Sequence, residues 1–183
     1  SGNFTNSEVR YLAATDPRGP FKVFQERMDS VLYEVDADTQ QFYIVNNNKA
    51  LNFKVSTTSF NATGADHWKD YVPHRPDVLV EEIALTKDFV IVKSKKNGLD
   101  QFQILSKDGK DNKLVPFEDA VYTASFSSNA DYNATQLRYS YSSPVTPNSV
   151  YDYDLATGQK TLLKQQEIPS GYNKDGNTTE RVD

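Results

Sequence analysis

The sequence predicts an all-β fold, and three observations support that class. Tyrosine and phenylalanine are abundant, with 11 and 10 residues against one Met and one Trp, and aromatic side chains favour strands. Short aromatic and β-branched runs alternate with polar turn clusters along the chain, and helical periodicity is hard to find. The connectors are too short for the crossovers that parallel strands need, so we expect antiparallel meanders.

The predicted strands follow one another in chain order. They cover residues 8–13, 21–25, 31–35, 41–45, 50–56, 67–72, 77–85, 89–94, 99–105, 113–117, 120–125, 136–142, 149–155 and 161–166. Between them, the short loops 36–40, 95–98, 107–110 and 156–158 place Asp, Asn or Gly at the turns. The run 41–45 is apolar on both faces, which predicts a strand lying between two layers.

The strand pattern repeats along the chain. Asp29, Asp77 and Asp119 each open a similar segment, and a strand led by lysine precedes each of them. The period is about 45 residues and holds four strands, which is typical of a propeller blade. A β-sandwich with coincidental spacing is the alternative.

The repeats divide most of the chain into blades. The end of a preceding blade would cover residues 1–28. Three further blades would follow, at 29–76, 77–118 and 119–168, and the third would be the last blade. A closed propeller has about 4–8 blades. The predicted fold is therefore an incomplete β-propeller, with about three four-stranded antiparallel blades plus strands of a preceding blade, cut from a longer protein.

Composition argues against several function classes. The formal net charge is −5, whereas a nucleic-acid binder normally shows a basic patch. Without cysteine and with only two histidines, the chain offers no thiol chemistry, and we expect neither a metal nor a cofactor. No apolar run approaches the roughly 18 residues of a membrane span. The opening SGNFTNSEVRY lacks a signal-peptide pattern, so we expect the cytoplasm, with the periplasm as the alternative.

Catalytic motifs are not found in the sequence. The glycines frame no G-x-S-x-G elbow, which a serine nucleophile usually occupies. His67 lies beside Trp68 and His74 lies in a Pro-His-Arg-Pro turn, so both are expected to be loop histidines. The acidic turns do not complete a calcium loop, and no P-loop or zincin motif occurs. We therefore assign no catalytic residue.

Two adjacent carboxylates interrupt an apolar run. Glu81 and Glu82 lie within 78–85, where alternation sends one of them toward a buried face unless a bulge intervenes. If this run is the first strand of its blade, it lines the central channel and one carboxylate faces that channel. The alternative is an ordinary salt-bridged carboxylate at a sheet edge.

Residues 137–155 carry a recognisable pattern of an aromatic strand, a serine pair, a spaced proline and Val-Tyr-x-x-Asp-Leu. The matching positions are Tyr139, Tyr141, Ser142, Ser143, Pro147, Val150, Tyr151, Asp154 and Leu155. This segment resembles the last propeller blade of the prolyl oligopeptidase family of serine peptidases, in its oligopeptidase B (protease II) branch. The segments that start at Ser7, Val31, Asn52 and Val72 are similar to the same branch, so the resemblance covers nearly the whole chain.

The resemblance implies a seven-bladed propeller that caps an α/β-hydrolase domain and admits only short peptides to an interior Ser-Asp-His triad. The branch cleaves after Lys or Arg, so the implied partners are the peptidase domain of the parent protein and short basic peptides. The chain departs from the family pattern because it ends at Asp183 without a nucleophile elbow. Residues 169–183 would be an exit linker toward the missing peptidase domain, and the chain alone should be inactive.

The leading interpretation is a propeller segment that gates peptide access to a catalytic domain outside this chain. Its candidates for substrate-channel or interdomain contacts are Arg75, Glu81, Glu82 and Arg138. Two rivals stay open. One is a stand-alone β-propeller interaction module that closes by oligomerising, and the other is a secreted β-rich binding domain.

Overall fold

The computed structural model describes residues 9–11, 22–26, 30–127 and 131–167. Within these residues the secondary structure consists of strands and one short 3-10 turn, Ala65–His67. The strands are β1 (Val9–Tyr11), β2 (Lys22–Gln25), β3 (Tyr33–Ala37), β4 (Phe42–Asn46), β5 (Lys54–Thr58), β6 (Lys69–Val72), β7 (Leu79–Leu85), β8 (Phe89–Lys96), β9 (Leu99–Ser106), β10 (Asn112–Leu114), β11 (Thr123–Phe126), β12 (Gln136–Ser143), β13 (Thr146–Asp154) and β14 (Lys160–Gln165). The all-β class is confirmed.

The strands pair as antiparallel meanders. In the described part of the chain β1 pairs with β2, and the remaining strands form three four-stranded sheets, β3-β4-β5-β6, β10-β9-β8-β7 and β11-β12-β13-β14. Each sheet keeps its strands in chain order, so a strand always lies beside the one that follows it. This is the predicted pattern of separate, unclosed four-stranded antiparallel sheets.

The chain forms two compact units, a first unit of Ser1–Glu82 and a second unit of Ile83–Asp183. The strands β3–β6 fall inside the predicted segment 29–76, β7–β10 inside 77–118 and β11–β14 inside 119–168. The segment boundaries themselves stay a prediction. The predicted linker 169–183 and most of 1–28 lie outside the described residues.

The hairpin between β8 and β9 shows how turn residues set the register. Asn97 and Gly98 both have positive φ, 54° and 78°, as a type I′ turn requires. Asn tolerates this conformation and Gly has no Cβ to clash. The turn aligns the two strands so that Lys93 lies opposite Phe102 and Lys95 lies opposite Asp100. Lys93 and Asp100 consequently share one face of the sheet as diagonal neighbours.

Most observed strands differ from the predicted runs by a few residues, and two of them border a connection that the sequence pattern did not show. The predicted run 113–117 ends at Leu114, and the predicted run 120–125 begins at Thr123. Pro116 has no N–H to continue the ladder, so regular pairing stops there. The connection between β10 and β11, residues 115–122, is therefore longer than the sequence pattern indicated.

β4 is buried on both faces, as its apolar pattern predicts. Its last residue, Asn46, is fully buried, and its amide group has partners. Asn46 Nδ2 donates to Ile44 O and to Ser56 Oγ, each at 3.0 Å. A buried amide that is hydrogen-bonded in this way does not carry the cost of an unpaired polar group.

In the first unit an aromatic core joins β2 to the sheet β3–β6. Phe24 packs edge-on against Phe42, with ring centroids 4.9 Å apart, and its ring centroid lies 6.1 Å from that of Tyr33. The Tyr33 hydroxyl donates to Gln25 O at 3.2 Å, and Gln25 Oε1 accepts a hydrogen bond from Ala65 N–H. Ring contacts and hydrogen bonds together fix β2 to this sheet.

In the second unit a shared core joins β8 and β9 to the sheet β11–β14. Phe102 is fully buried, and its ring centroid lies 5.5 Å from that of Tyr139 and 5.2 Å from that of Phe126. The buried members of this core are Ile91, Phe102, Ile104, Val115, Ala124, Leu137, Tyr139, Tyr141, Tyr153 and Leu155. Aromatic pairs at such distances add about 0.5–1.5 kcal/mol beyond their buried area. The neighbouring sheets are therefore joined by side-chain packing.

Phe102→Ala should remove the centre of the shared core. We expect a loss of about 3–5 kcal/mol in the free energy of unfolding, because the substitution leaves a cavity between two sheets. Urea denaturation followed by near-ultraviolet circular dichroism measures this loss. Leu114→Ala is the control, since Leu114 is 53% exposed on β10 and should change stability by about 0.5 kcal/mol or less. Equal losses in the two variants would contradict the role of Phe102.

Alkaline pH should unfold the second unit through its tyrosines. Burial raises the pKa of Tyr139 and of Tyr141 well above the usual value of about 10. The stability gained from neutral phenols is complete below about pH 10 and is lost as the pH rises toward the folded-state pKa values, because the unfolded chain ionises first. A titration followed by ultraviolet absorbance should show a late tyrosine class that ionises together with unfolding. Tyr139→Phe should weaken this pH dependence. Ionisation of all tyrosines in one class near the usual pKa, without unfolding, would contradict the prediction.

Candidate functional site

The two edges of the four-stranded sheets differ in charge. In the described part of the chain β3, β7 and β11 each form the first edge of a sheet, and β6, β10 and β14 form the last edge. The first-edge strands carry Glu34, Asp36, Glu81 and Glu82 and contain no Lys or Arg. The last-edge strands carry Lys69, Lys113, Lys160 and Lys164, with Asp70 as their carboxylate. Carboxylates thus occur on the first edge of two sheets, at β3 and β7. Lysines occur on the last edge of all three described four-stranded sheets, at β6, β10 and β14.

Glu81 and Glu82 both remain partly exposed on β7. Strict alternation would have buried one of them, yet residues 81–84 all have intermediate exposure, between buried Val80 and buried Leu85. β7 is an edge strand, so side chains on either face can reach past its open side to solvent. Both carboxylates therefore lie partly exposed at the first edge of this sheet.

Arg75 lies in the connection that leads into β7. It forms an isolated antiparallel bridge with Val78, whose N–H donates to Arg75 O at 3.4 Å. Asn52 fixes the same connection, since its Nδ2 donates to Pro76 O at 2.6 Å and its O accepts from Val80 N–H at 3.0 Å. Among the described residues Arg75 Nε is shielded from solvent without a hydrogen-bond partner. The backbone of this turn thus sets where β7 begins.

Arg138 lies on β12, opposite Asp152 on β13. Its Nε donates to Asp152 Oδ1 at 2.9 Å and its Nη2 donates to Asp152 Oδ2 at 3.0 Å, a two-pronged charge-assisted pair. The hydrogen bonds to Asp152 raise the pKa of the Arg138 guanidinium. β12 is the second strand of its sheet, so Arg138 is not on the edge that β11 forms.

The four sequence candidates are thus divided between the units. Arg75, Glu81 and Glu82 are close in the chain at the start of β7 in the first unit, and Arg138 belongs to the second unit. Their assignment to a substrate channel or an interdomain contact stays a prediction.

A buried carboxylate connects two sheets of the second unit. Asp100 on β9 is 6% exposed, and its Oδ1 accepts from Lys93 Nζ at 3.3 Å. Its Oδ2 accepts from Ala124 N–H on β11 at 3.0 Å, and its backbone O accepts from the Tyr122 hydroxyl at 2.7 Å. A buried charge is tolerated when it is paired and hydrogen-bonded in this way. Asp100 therefore positions β11 against the preceding sheet.

A polar groove lies along β11–β14, and most of its lining, including Ser125, Ser140 and Ser142, belongs to the face opposite to the shared core. The groove has a volume of about 530 Å³, and it is lined by Thr123, Ser125, Ser140, Tyr141, Ser142, Asn148, Ser149, Val150, Lys164 and Gln166. Its hydroxyls bond to one another and to the backbone, as in the 3.0 Å contact of Thr123 Oγ1 with Ser142 Oγ and the 2.7 Å bond from Ser149 Oγ to Pro147 O. The lining includes no His, Asp or Glu, and its polar groups are hydroxyls, amides and the Lys164 ammonium.

The two histidines lie outside these features. His67 closes the 3-10 turn by donating its N–H to Gly64 O at 2.9 Å, and His74 lies in the connection before β7. No group of three or more His, Cys, Asp or Glu in the described ranges is placed to hold a metal ion. The helices in those ranges include none with the length and hydropathy to cross a bilayer.

The comparisons with known proteins place these sheets in a family. The model of the prolyl oligopeptidase N-terminal β-propeller domain matches residues 1–166. The chain belongs to this propeller family. It is 35% identical to dipeptidyl aminopeptidase BI of Pseudoxanthomonas mexicana over 97% of this chain and 24% of that protein. It is 24% identical to protease 2 of Moraxella lacunata over 95% of this chain and 25% of that protein. The chain thus spans about a quarter of the length of these relatives.

Solved structures show the same architecture. Oligopeptidase B from Leishmania major matches 92% of this chain and 25% of its own with a TM-score of 0.81 and 24% identity. Oligopeptidase B from Trypanosoma brucei, with covalently bound antipain, matches 85% of this chain and 23% of its own with a TM-score of 0.77 and 25% identity. The predicted incomplete β-propeller and the resemblance to the prolyl oligopeptidase family are confirmed.

Sequence reasoning missed the buried pair and two first-edge carboxylates. Lys93 and Asp100 interrupt the strands FVIVKSKK and LDQFQILS at positions that face the core, which was a readable signal. Glu34 and Asp36 alternate with apolar residues in YEVDA and become notable only when β3 is known to be an edge.

Asp100→Ala should destabilise the second unit strongly. We expect a loss of about 3–5 kcal/mol in the free energy of unfolding, because Lys93 would keep a buried charge without this carboxylate. Replacing both residues, as Lys93→Met with Asp100→Leu, should restore the part of that loss that comes from the unpaired Lys93 charge, while Ala124 N–H still lacks its acceptor. Asp70→Ala breaks the Lys54–Asp70 pair, in which Asp70 is 49% exposed, and should cost about 0–1 kcal/mol. Urea denaturation of the unmodified protein and the three variants measures these losses. A double variant as unstable as Asp100→Ala would refute the pairing argument.

Proposed function

We propose that this chain is the propeller part of a serine peptidase and that it admits short basic peptides to the peptidase domain of the same protein. The observation that carries the proposal is the charge of the first edges, which hold Glu34, Asp36, Glu81 and Glu82 without Lys or Arg. Membership in the family supports the peptidase partner, since relatives that share this propeller are named aminopeptidase, protease and endopeptidase.

The proposed mechanism is steric and electrostatic. Propeller blades surround a central channel, and in this proposal the first strand of each blade lines it. In this proposal the channel inside a ring of packed blades excludes a folded domain because of its size and admits an extended peptide. Carboxylates at the wall of a narrow passage focus their field and raise the local concentration of cationic peptides. Glu81 and Glu82 would act in this way, and Arg75, just before β7, stays a candidate for contact with the peptidase domain.

Two cleavage modes remain as candidates within this function. The relative at 35% identity is named a dipeptidyl aminopeptidase, which favours removal of dipeptides from a peptide N-terminus. The oligopeptidase B resemblance implies the second mode, internal cleavage after Lys or Arg. The match to protease 2, at 24% identity, supports this mode. A peptide with a blocked N-terminus separates them, because only the internal mode would still cleave it.

The substrate class is tested with Glu81→Gln and Glu82→Gln, combined in the full-length protein. We expect KM for a dibasic fluorogenic peptide to rise by about tenfold, because two attractive charges are removed while the chemistry is untouched. KM for a neutral peptide of equal length should stay unchanged, and added salt should reduce the difference between the peptides. Asp111→Asn removes one exposed carboxylate from the turn between β9 and β10 and serves as the control.

Two results would overturn separate parts of the proposal. Equal effects on the basic and the neutral peptide, or an equal effect of Asp111→Asn, would exclude the first-edge carboxylates as the source of selectivity. A full-length protein that cleaves neither peptide would exclude the peptidase partner. In that case a defined oligomer in sedimentation would favour the rival interaction module.

A further inference from the structure

Two exposed leucines lie at the start of β7, beside the carboxylates of the proposed channel wall. Leu51 is 88% exposed in the turn between β4 and β5, and Leu79, the first residue of β7, is 38% exposed. The backbone joins these two segments, because Val80 N–H donates to Asn52 O at 3.0 Å. Leu51 and Leu79 are each one residue from this bond, so they lie close together. We call Leu51 and Leu79 the β7 entry patch.

The turn that carries Leu51 is held in a fixed conformation. Lys49 and Phe53, on either side of Leu51, have positive φ of 56° and 67°, a region that bulky side chains rarely adopt. Asn47 fixes the start of the turn, since its Oδ1 accepts from Leu32 N–H at 2.7 Å. Such strain persists where the surroundings determine the backbone, and it is concentrated at binding sites. A side chain presented in this way loses little conformational freedom when a ligand binds.

The strand β7 leads from this patch to Glu82. β7 forms the first edge of its sheet, and an extended peptide can lie along such an edge. Glu82 is partly exposed and lies three residues after Leu79, which is about 10 Å in a strand. An extended peptide spans the same distance with three residues. An apolar side chain and a cation three positions apart therefore match the patch and the carboxylate.

The charges around the patch distinguish an apolar position from a cationic one. Lys49 is exposed two residues before Leu51, and Arg75 is partly exposed four residues before Leu79. Both positive charges repel a peptide cation from the leucines, whereas Glu82 attracts it. A basic peptide consequently fits with its apolar side chain at the patch and its cation at Glu82.

We propose that the β7 entry patch is a substrate subsite, which binds an apolar side chain three positions from the Lys or Arg held by Glu82. The inference rests on the proposed function, because it specifies which basic peptides the channel admits. Burial of the peptide side chain against Leu51 and Leu79 removes apolar surface from water and adds to the attraction by the carboxylate. Charge alone selects any basic peptide, and the patch adds selection for its sequence.

Peptide binding to the full-length protein tests the subsite. A serine-directed fluorophosphonate first blocks cleavage, and fluorescence anisotropy then gives the Kd of fluorescent peptides with one Lys and, three positions before or after it, either Leu or Ser. In one of these two directions we expect the Leu peptide to bind about tenfold more tightly than the Ser peptide, as for burial of one large apolar side chain. Leu51→Ser combined with Leu79→Ser should weaken the Leu peptide about tenfold and leave the Ser peptide unchanged.

Two control variants separate the patch from general effects. Leu114→Ser with Leu162→Ser is the matched control, since these leucines are 53% and 49% exposed on the outer strands β10 and β14, and it should change neither peptide. Glu82→Gln should weaken the Leu and the Ser peptide equally, because both share the Lys that it attracts. Equal affinities of the two peptides for the unmodified protein would overturn the subsite, as would equal weakening of both by the patch variant or by the control.

Other occupants of the patch give other results. If the patch variant binds both peptides normally but loses a dimer in sedimentation, a second copy occupies the patch. If it binds both normally but exchanges amide hydrogen faster in another domain, that domain occupies the patch, and either result overturns the subsite.

Cleavage by the untreated protein separates this inference from the proposed function. Cleavage of basic peptides without a preference for leucine in binding overturns the subsite alone. Preferential binding of the Leu peptide by a protein that cleaves no peptide overturns the proposed function alone.

Discussion

The sheets described here depend on a neighbouring element that covers their apolar faces. Strands such as β4, with the sequence FYIVN, and β8, with FVIVKSKK, carry apolar side chains on both sides, so an isolated sheet would expose one apolar face to water. Packing of a neighbouring element removes that face from solvent. Phe24 from β2 does this in the first unit, and Phe102 with Tyr139 does it in the second. In the second unit, two successive sheets thus cover an apolar face of each other, as neighbouring propeller blades do.

The features that could be predicted from sequence are those that nearby residues determine. The turn at Asn97 and Gly98 and the two-sided burial of β4 follow from turn chemistry and from alternation. The role of Asp100 could not be predicted, because it depends on the N–H of Ala124, 24 residues further along the chain. The partial exposure of both Glu81 and Glu82 could not be decided from the sequence for a related reason, since alternation describes a strand with neighbours on both sides and β7 is an edge.

The last sheet shows that a single set of strands can present two different surfaces. One face of β11–β14 contributes Ala124, Leu137 and Tyr139 to a core that excludes water. The opposite face contributes Thr123, Ser125, Ser140 and Ser142, whose hydroxyls need hydrogen bonds wherever they are buried. A neighbour suited to the first face would leave these groups unpaired on the second. The period-2 alternation of each strand therefore fixes both where the blade packs and what kind of surface it can meet next.

The same packing governs what the first-edge carboxylates can do. A solvent-exposed ion pair is worth about 0–1 kcal/mol, and salt at physiological strength screens charges beyond about 8 Å. Glu81 and Glu82 on a lone sheet would consequently hold a basic peptide weakly. Inside a closed channel the low-dielectric walls focus the field, and a peptide cannot move away from the carboxylates by more than the channel width. Under the proposed function, selectivity by these residues would require that the blades pack into a ring, so loss of a core contact such as that of Phe102 would weaken peptide selection even though Phe102 carries no charge.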